Sequence, residues 1–194
     1  MKDGASDNIY IQKILKGDKN AFAFVVNKYK QMVFSVCFRI LRNREDAEES
    51  SQDAFIKVYS CMNDYNGKAS FSTWLYRIAY TTAISKLRKR KTEIRTESID
   101  DEYIENEEPD WVNNSLNTLE AEEQRKYIDM ALETLDANEN LLLTLFYLDG
   151  LSVGEISEIT GLSRSNIKVI LFRSRKKLFV ILKKLLKEEI NILV

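Results

Sequence analysis

Apolar residues recur at steps of three and four along most of this chain, the spacing of an amphipathic helix. A first long helix is predicted after the capping residue Asp18, a second after Asn43, and a third from about Phe71 into the basic string 86–91. The residues predicted to be buried are Phe22, Val25, Val26, Tyr29, Val33, Val36, Cys37 and Ile40 in the first helix, Ala47, Ala54, Phe55, Val58, Tyr59 and Met62 in the second, and Phe71, Leu75, Ile78 and Thr82 in the third.

The C-terminal part of the chain shows helical spacing from about Leu116 onward. Asp136 and Glu139 make a capping box ahead of the apolar run 141–150, so a helix is predicted there. The chain has 6 glycines and 1 proline in 194 residues, which argues against a turn-rich β architecture. We therefore expect an all-α protein, with about four helices in its C-terminal part.

Two helices joined by a tight turn are predicted between residues 151 and 178. Ser152 and Glu155 make a second capping box, which opens a helix predicted to run from about Val153 to Thr160. Gly161 follows where a tight turn needs a positive φ. This order of signals is typical of a helix-turn-helix.

The second helix of this pair is basic. Ser163 can cap it, and in a helix-turn-helix its first residues enter the major groove, which puts Arg164, Ser165 and Lys168 within reach of DNA. From Arg164 to Lys187 there are nine basic residues and no acidic one. A solvated face on a structural helix is the alternative interpretation, but it leaves the coincidence of caps, turn glycine and basic helix unexplained. The segment is therefore interpreted as a reader of DNA.

The third predicted helix carries a second row of residues outside its apolar stripe. The row mixes aromatic, hydroxyl and cationic side chains, and consists of Trp74, Arg77, Thr81, Ser85 and Arg88. Aromatic and cationic groups together can hold single-stranded nucleic acid, by stacking on bases and following phosphates. Aromatic residues of a small helical bundle are more often core residues, and that interpretation stays open here.

The net charge of −1 conceals a strong partition along the chain. Residues 1–91 carry 17 basic and 9 acidic side chains, 92–123 carry 1 and 12, and 124–194 carry 11 and 9. Helical periodicity fails from Thr92 to about Asn117, where the single proline also lies. We therefore predict domains at 1–91 and 118–194, joined by an acidic linker at 92–117.

The sequence lacks the residues and motifs that metal sites, phosphate loops and most enzyme active sites require. The chain has no histidine and two cysteines, Cys37 and Cys61, without a partner set for a metal. No glycine-rich phosphate loop or Gly-x-Ser-x-Gly elbow is present. We therefore expect no enzyme activity, no cofactor and no metal. Neither a membrane-length apolar run nor a signal peptide occurs, so a cytoplasmic protein without membrane insertion is expected.

Nearly the whole chain closely resembles a bacterial RNA polymerase sigma factor of the extracytoplasmic-function (ECF) class. It contains, in order, DAEESSQDAFIKVY, FSTWLYRIAY, a basic string, an acidic linker and GLSVGEISEITGLSRSNIKVILFRSRKKL. The resemblance implies two helical domains on a flexible linker. It also implies binding to core RNA polymerase and to double-stranded and melted promoter DNA, and control by an anti-sigma factor, which can be membrane-anchored.

The same resemblance assigns roles to particular residues. Core polymerase would dock on an acidic face formed by Glu49, Gln52 and Asp53 with Asp46 beside it. A flipped base of the minus-ten element would be captured by Asn66, Lys68, Ser70, Phe71, Trp74 and Arg77, with Thr81 and Arg88 further along the helix. The minus-thirty-five element would be read by Ser163, Arg164, Ser165 and Lys168, with phosphate contacts from Arg173 and Arg175. The acidic linker would lie in the RNA exit path.

The chain departs from the usual pattern of this family at two positions. Thr81 stands where many relatives have asparagine, and Ile170 stands where an arginine is expected, so Ile170 either packs inward or faces DNA. Two other functions remain as alternatives. A helix-turn-helix regulator acting without core polymerase would leave the segment 46–59 and the acidic linker unexplained, and a helical adaptor would bind without DNA and without sensitivity to salt.

Overall fold

The computed structural model of this chain describes residues 4–93 and 121–190. The described residues are helical and contain no strand, so the prediction of an all-α fold is confirmed. Within these two ranges there are eight α-helices: α1 (Gly4–Leu15), α2 (Lys19–Leu41), α3 (Arg44–Ser60), α4 (Phe71–Glu93), α5 (Ala121–Thr134), α6 (Ala137–Leu143), α7 (Val153–Thr160) and α8 (Arg164–Ile190). A 3₁₀ turn (Met62–Asp64) follows α3, and a π-helical turn (Thr144–Leu148) follows α6.

Helices α1 to α4 pack into one compact unit. In this unit α2 lies against α1, α3 and α4, and α3 also packs on α4. The predicted caps are present: Asp18 accepts hydrogen bonds from the backbone N–H groups of Asn20 and Ala21, and Asn43 accepts one from Asp46. Because each cap satisfies N–H groups that the first helical turn leaves free, α2 and α3 begin where the sequence predicts.

The buried face of this unit follows the predicted stripes with one clear exception. Val25, Val33, Ala47 and Leu75 have no exposed surface. Tyr59 was predicted to be buried, but 45% of it is exposed and its ring packs edge-on against Phe22. The prediction was wrong because Tyr59 lies at the edge of the buried stripe, next to the fully buried Val58, and faces the outer side of α3.

Helices α5, α6 and α8 form the second compact unit. The long helix α8 packs on both α5 and α6, and its C-terminal turns complete a core with α5. Tyr127 and Ala131 of α5 meet Leu182 and Leu186 of α8 in that core. The continuation of α8 beyond residue 178 is thus the amphipathic helix that the sequence predicts.

The apolar run 141–150 forms two elements rather than the single predicted helix. Asp136 caps α6 by accepting from the N–H groups of Asn138 and Glu139, as expected. The helix then changes to the wider π-helical turn, which ends at Asp149 and Gly150. The carboxylate of Glu139, the other predicted member of the capping box, binds Lys177 Nζ at 2.9 Å.

Two predictions fall outside the described residues. These are most of the acidic linker at 92–117 and the resumption of helix near Leu116. Within the described ranges, no helix is long and apolar enough to cross a membrane.

Candidate functional site

Part of the predicted acidic face of α3 forms ion pairs with the basic end of α4. Asp46 binds Lys86 Nζ at 3.2 Å and Arg90 Nη1 at 3.1 Å, and Glu49 binds Lys86 Nζ at 2.7 Å. Asp46 is half-buried, whereas Glu49 is exposed. Two residues of the basic string therefore fasten α4 to α3.

These contacts shift the pKa values of both Asp46 and Lys86. The hydrogen bond from Lys86, with a further contribution from Arg90, lowers the pKa of Asp46. Burial lowers the pKa of Lys86, but its hydrogen bonds to Glu49 and Asp46 outweigh that effect and raise the pKa above the usual value. Asp46 therefore holds the two helices together at neutral pH, and Glu49 is the more accessible carboxylate.

The outer side of α3 combines acidic and apolar side chains. Glu49, Gln52 and Asp53 are exposed on it as predicted. The sequence reasoning missed Ile56, which is 65% exposed and lies three and four residues beyond Asp53 and Gln52. With the exposed ring of Tyr59, it adds an apolar area to the acidic face. The period-3.6 pattern could have revealed Ile56, because it falls outside the buried stripe.

Four aromatic residues, which we call the aromatic cluster, lie where α4 begins: Tyr29, Tyr65, Phe71 and Trp74. Phe71 is central, with ring centroids 5.8 Å from Tyr29, 5.5 Å from Tyr65 and 5.7 Å from Trp74. The rings of Tyr65 and Trp74 are 5.3 Å apart. Tyr29 and Phe71 are buried, whereas Tyr65 and Trp74 are half-buried and reach the surface.

The predicted minus-ten residues of α4 therefore take different positions. Phe71 is only 3% exposed and supports Trp74 from below, so it is not itself available to a base. Arg77 is exposed one turn after Trp74. Thr81 and Arg88 continue on the exposed side of the helix, and the Thr81 hydroxyl donates to the backbone carbonyl of Arg77. The row predicted from sequence is a surface row.

The loop before α4 is held by its own hydrogen bonds. Asn66 accepts from the N–H of Lys68 across Gly67, whose φ is +73°, and the Tyr65 hydroxyl donates to the carbonyl oxygen of Ala69 at 3.0 Å. Ser70 accepts from the N–H of Thr73 and so caps α4. Asn66 and Lys68 are exposed, whereas the Ser70 hydroxyl is already engaged as a cap.

The predicted helix-turn-helix has the expected helices and turn. Helix α7 ends at Thr160, Gly161 has a φ of +74°, and α8 begins at Arg164. The Ser157 hydroxyl donates to the carbonyl oxygen of Leu162 at 2.7 Å, and Ser163 accepts from the N–H of Asn166. Ser163 is therefore the cap of α8, as predicted, and its hydroxyl is partly committed to that role.

The first turns of α8 present a mixed polar and aromatic row. Arg164, Ser165 and Lys168 are exposed as predicted. Phe172, which the sequence reasoning missed, is 52% exposed and shares the face of Ser165 and Lys168 at helical spacing. Lys176 Nζ lies 4.8 Å from the centroid of the Phe172 ring. Phe172 falls outside the buried stripe of Ile167, Leu171 and Ser174, so its helical spacing already indicates an exposed ring.

The opposite side of α8 is buried. Ile167 and Ser174 have no exposed surface, and Leu171 is nearly buried. Ile170 is half-buried at the margin of this side. It therefore neither packs fully inward nor fully faces the surface that would meet DNA, the two alternatives left by the sequence. Arg173 and Arg175 are both exposed, two to three turns beyond the start of the helix.

The described residues contain no group of three or more metal-binding side chains. Cys37 is free and buried in α2, and burial raises the pKa of its thiol. It is therefore a small core residue.

Comparison with known proteins agrees with this arrangement. Residues 25–93 match the family described as Sigma-70 region 2, and residues 125–178 match Sigma-70, region 4. The chain is 31% identical to the ECF RNA polymerase sigma-E factor of Escherichia coli (strain K12), over 91% of this chain and 94% of that protein. It is also 31% identical to the ECF RNA polymerase sigma factor SigW of Bacillus subtilis (strain 168), over 87% and 92%.

The fold is similar to those of two solved proteins. The sigma factor RpoE of Bartonella quintana, solved with the anti-sigma factor NepR, superposes with a TM-score of 0.62 at 20% identity, covering 84% of this chain and 96% of that one. CnrH, solved with the cytosolic domain of CnrY, superposes with a TM-score of 0.58 at 17% identity, covering 92% and 97%. The chain therefore belongs to the ECF class of RNA polymerase sigma factors in the sigma-70 family, and it directs transcription initiation.

Proposed function

We propose that this sigma factor opens its promoters by capturing a base of the minus-ten element on Trp74. Residues 1–91 form the domain that binds core polymerase and melts the DNA, residues 118–194 form the domain that reads the minus-thirty-five element, and the acidic segment 92–117 connects them. The observation that carries the proposal is the Trp74 ring, which is half-buried but reaches the surface, is supported by the buried Phe71 and is followed by the exposed Arg77. Stacking on such a ring compensates for the unstacking of a flipped base.

The variant Trp74→Ala tests this role. It should leave holoenzyme formation and the closed complex intact but reduce permanganate-reactive open DNA, because stacking is worth about 1–3 kcal/mol per base. Trp74→Phe keeps an aromatic face and should restore part of the opening. If Trp74→Ala opens the promoter normally and only lowers the melting temperature of the free protein, Trp74 is a core residue and the proposal is wrong.

Docking on core polymerase is assigned to the outer side of α3. The exposed carboxylates of Glu49 and Asp53 favour a basic partner surface and would speed and orient the encounter. The exposed side chains of Ile56 and Tyr59 would supply apolar area once the surfaces meet. Asp46 contributes indirectly, since its carboxylate is held by Lys86 and Arg90.

Charge reversal separates docking from folding. Glu49→Lys together with Asp53→Lys should abolish co-purification with core polymerase while the circular dichroism stays helical. Two controls are needed. Glu48→Lys changes another exposed carboxylate of α3, which bonds Arg44 within the same helix at 2.9 Å. Lys86→Gln breaks the 2.7 Å bond between Lys86 Nζ and Glu49 without changing the outer side of α3, and it should leave core binding intact. Unchanged core affinity in the double variant would refute the assignment.

Recognition of the minus-thirty-five element is assigned to the exposed row at the start of α8. Arg164→Ala should weaken binding by about 1–3 kcal/mol and relax the preference at one base pair. Arg173→Ala should weaken binding to all sequences alike and lower the salt slope by about one unit. A binding selection over a randomised upstream element distinguishes the two; an unchanged preference in Arg164→Ala would contradict this placement of α8.

Phe172 is assigned to the same surface as a contact to a thymine methyl group, the apolar feature of the major groove. Replacing individual thymines of the element by uracil removes only that methyl group. At the contacted position the wild-type affinity should fall, whereas Phe172→Ala should bind both duplexes equally. Methyl sensitivity that persists in Phe172→Ala would assign the contact elsewhere.

Control by an anti-sigma factor is proposed for this chain because both proteins of similar fold described above were solved in complexes, one of them with a named anti-sigma factor. The protein would act in the cytoplasm, where core polymerase works, and without catalytic chemistry of its own. Co-purification of the chain from its source cells tests the inhibitor. Recovery of the chain only as free protein or holoenzyme would contradict it.

A further inference from the structure

Asp7 is a buried carboxylate in the first helix. Only 5% of the residue is exposed, and its two oxygens accept hydrogen bonds of 2.6 Å from Lys28 Nζ and 2.6 Å from the Tyr29 hydroxyl. A buried carboxylate is costly unless it is paired and hydrogen-bonded, so both partners are required to keep Asp7 inside. The minimal consequence is that α1 is fastened to α2.

The Tyr29 bond continues into the aromatic cluster. Its hydroxyl is held by Asp7, and its ring lies edge-on to Phe71, with 60° between the ring planes. Phe71 in turn contacts Trp74, the ring to which we assign base capture. Because hydrogen bonding fixes the phenol at one end, the ring has a defined position against Phe71 at the other.

A second connection runs from α1 to the loop before α4. Helix α1 contacts the 3₁₀ turn Met62–Asp64, directly before Tyr65. Burial raises the pKa of Tyr65, and the charge of Asp7 raises it further, in keeping with a carboxylate close to that ring. Tyr65 packs on Trp74 and closes the loop through its hydrogen bond to Ala69. Asp7 thus bonds Tyr29, which packs on Phe71, and its charge acts on Tyr65, which packs on Trp74.

We propose that Asp7 and Tyr29 are positioning residues for promoter opening: their hydrogen bond sets the orientation of the aromatic cluster and so of the Trp74 ring that receives the flipped base. Neither residue touches DNA in this scheme, since both are buried. The inference rests on the proposed role of Trp74. It assigns to α1 a function beyond folding, which is the accuracy of base capture.

The variant Tyr29→Phe removes the hydroxyl and keeps the ring. In holoenzyme made from the full chain, it should reduce permanganate-reactive open DNA by about threefold to tenfold. This is less than the whole effect of losing a hydrogen bond to a charged group, because only the change in the orientation of Trp74 reaches promoter opening. Asp7→Asn should act in the same direction. The matched control is Ile14→Val, a conservative change at a buried site two turns further along α1, which should lower the melting temperature by a similar amount without affecting opening.

Two measurements distinguish positioning from loss of stability. If Tyr29 acts through Trp74, the double variant Tyr29→Phe with Trp74→Ala should open no less DNA than Trp74→Ala alone. In a Trp111→Phe background, where Trp74 is the remaining tryptophan, its fluorescence should change in Tyr29→Phe and not in Ile14→Val.

The outcomes separate this inference from the proposed function. Normal opening by Tyr29→Phe and Asp7→Asn, with impaired opening by Trp74→Ala, overturns the positioning role and leaves base capture intact. Additive losses in the double variant also overturn it, because Tyr29 would then act independently of Trp74. Normal opening by Trp74→Ala refutes base capture itself, and the positioning role with it.

Discussion

Replacing Gly161 by alanine is a direct test of the turn that leads from α7 into α8. The glycine has a φ of +74°, and a Cβ added to it would meet nothing within 4 Å. The cost is therefore conformational rather than steric. The left-handed region costs a residue with a Cβ roughly 1–2 kcal/mol, and each kcal/mol shifts the melting temperature of a domain of this size by about 4–8 °C.

The assay is thermal unfolding of the full chain, followed by circular dichroism. Gly161→Ala should lower the melting temperature, and Gly161→Asn should lower it less, since asparagine tolerates positive φ better. The matched control is Gly67→Ala, because Gly67 has a φ of +73° and equally open surroundings. Its conformational cost should be the same, but its effect on function should appear in promoter opening rather than in binding to the minus-thirty-five element.

Whether Gly161→Ala lowers or raises the melting temperature shows whether Gly161 has a positive φ in solution. If the turn had a negative φ in solution, alanine would restrict the unfolded chain and stabilise the protein by about 0.4–1 kcal/mol. A higher melting temperature for Gly161→Ala would therefore refute the proposed turn.

Three further variants test the packing and the charges. Ile167→Ala should cost about 2–5 kcal/mol in denaturant unfolding because Ile167 is fully buried, whereas the exposed Val169→Ala should stay within about 0.5 kcal/mol; equal losses would contradict the assigned faces of α8. Because the Lys86 hydrogen bond lowers the pKa of Asp46, the stability it adds is present above the ordinary value of 3.8 and is lost as the pH falls through the lowered value. Asp46→Asn should therefore flatten the acid limb of a pH–stability curve, and an unchanged limb would contradict the ion pair. Tyr59→Ser should weaken core binding and leave the melting temperature nearly unchanged, because the Tyr59 ring is exposed. A large loss of stability with normal core binding would show instead that the ring acts as a core residue.

The sequence predicted most of the fold because its helix signals are local. Asp18, Asn43 and Asp136 are caps whose side chains bond to backbone groups within three residues, so the start of each helix is set by adjacent residues. Gly161 is likewise a local signal. The π-helical turn at 144–148 could not be predicted, since nothing in an uninterrupted apolar run specifies a wider turn.

The sequence predicted which residue types form the candidate site, but not which of their side chains are buried and which reach the surface. Whether Phe71 meets DNA or supports Trp74 depends on Tyr29 and Tyr65, which are 42 and 6 residues away in the chain, and periodicity does not report such contacts. The ion pair between Asp46 and Lys86 could not be predicted either, because the two residues are far apart in the sequence. It joins the acidic and basic segments that the sequence assigned to separate partners.

The central claim is that this chain confers promoter recognition on core polymerase. The most direct measurement is run-off transcription by purified core polymerase on fragmented genomic DNA of the source bacterium, with and without the chain, followed by mapping of the RNA 5′ ends. The chain should produce discrete start sites that share two upstream elements, and Trp74→Ala should reduce all of them together. If the chain instead binds duplex DNA specifically without core polymerase and generates no discrete start sites with it, the account is contradicted in favour of an independent helix-turn-helix regulator.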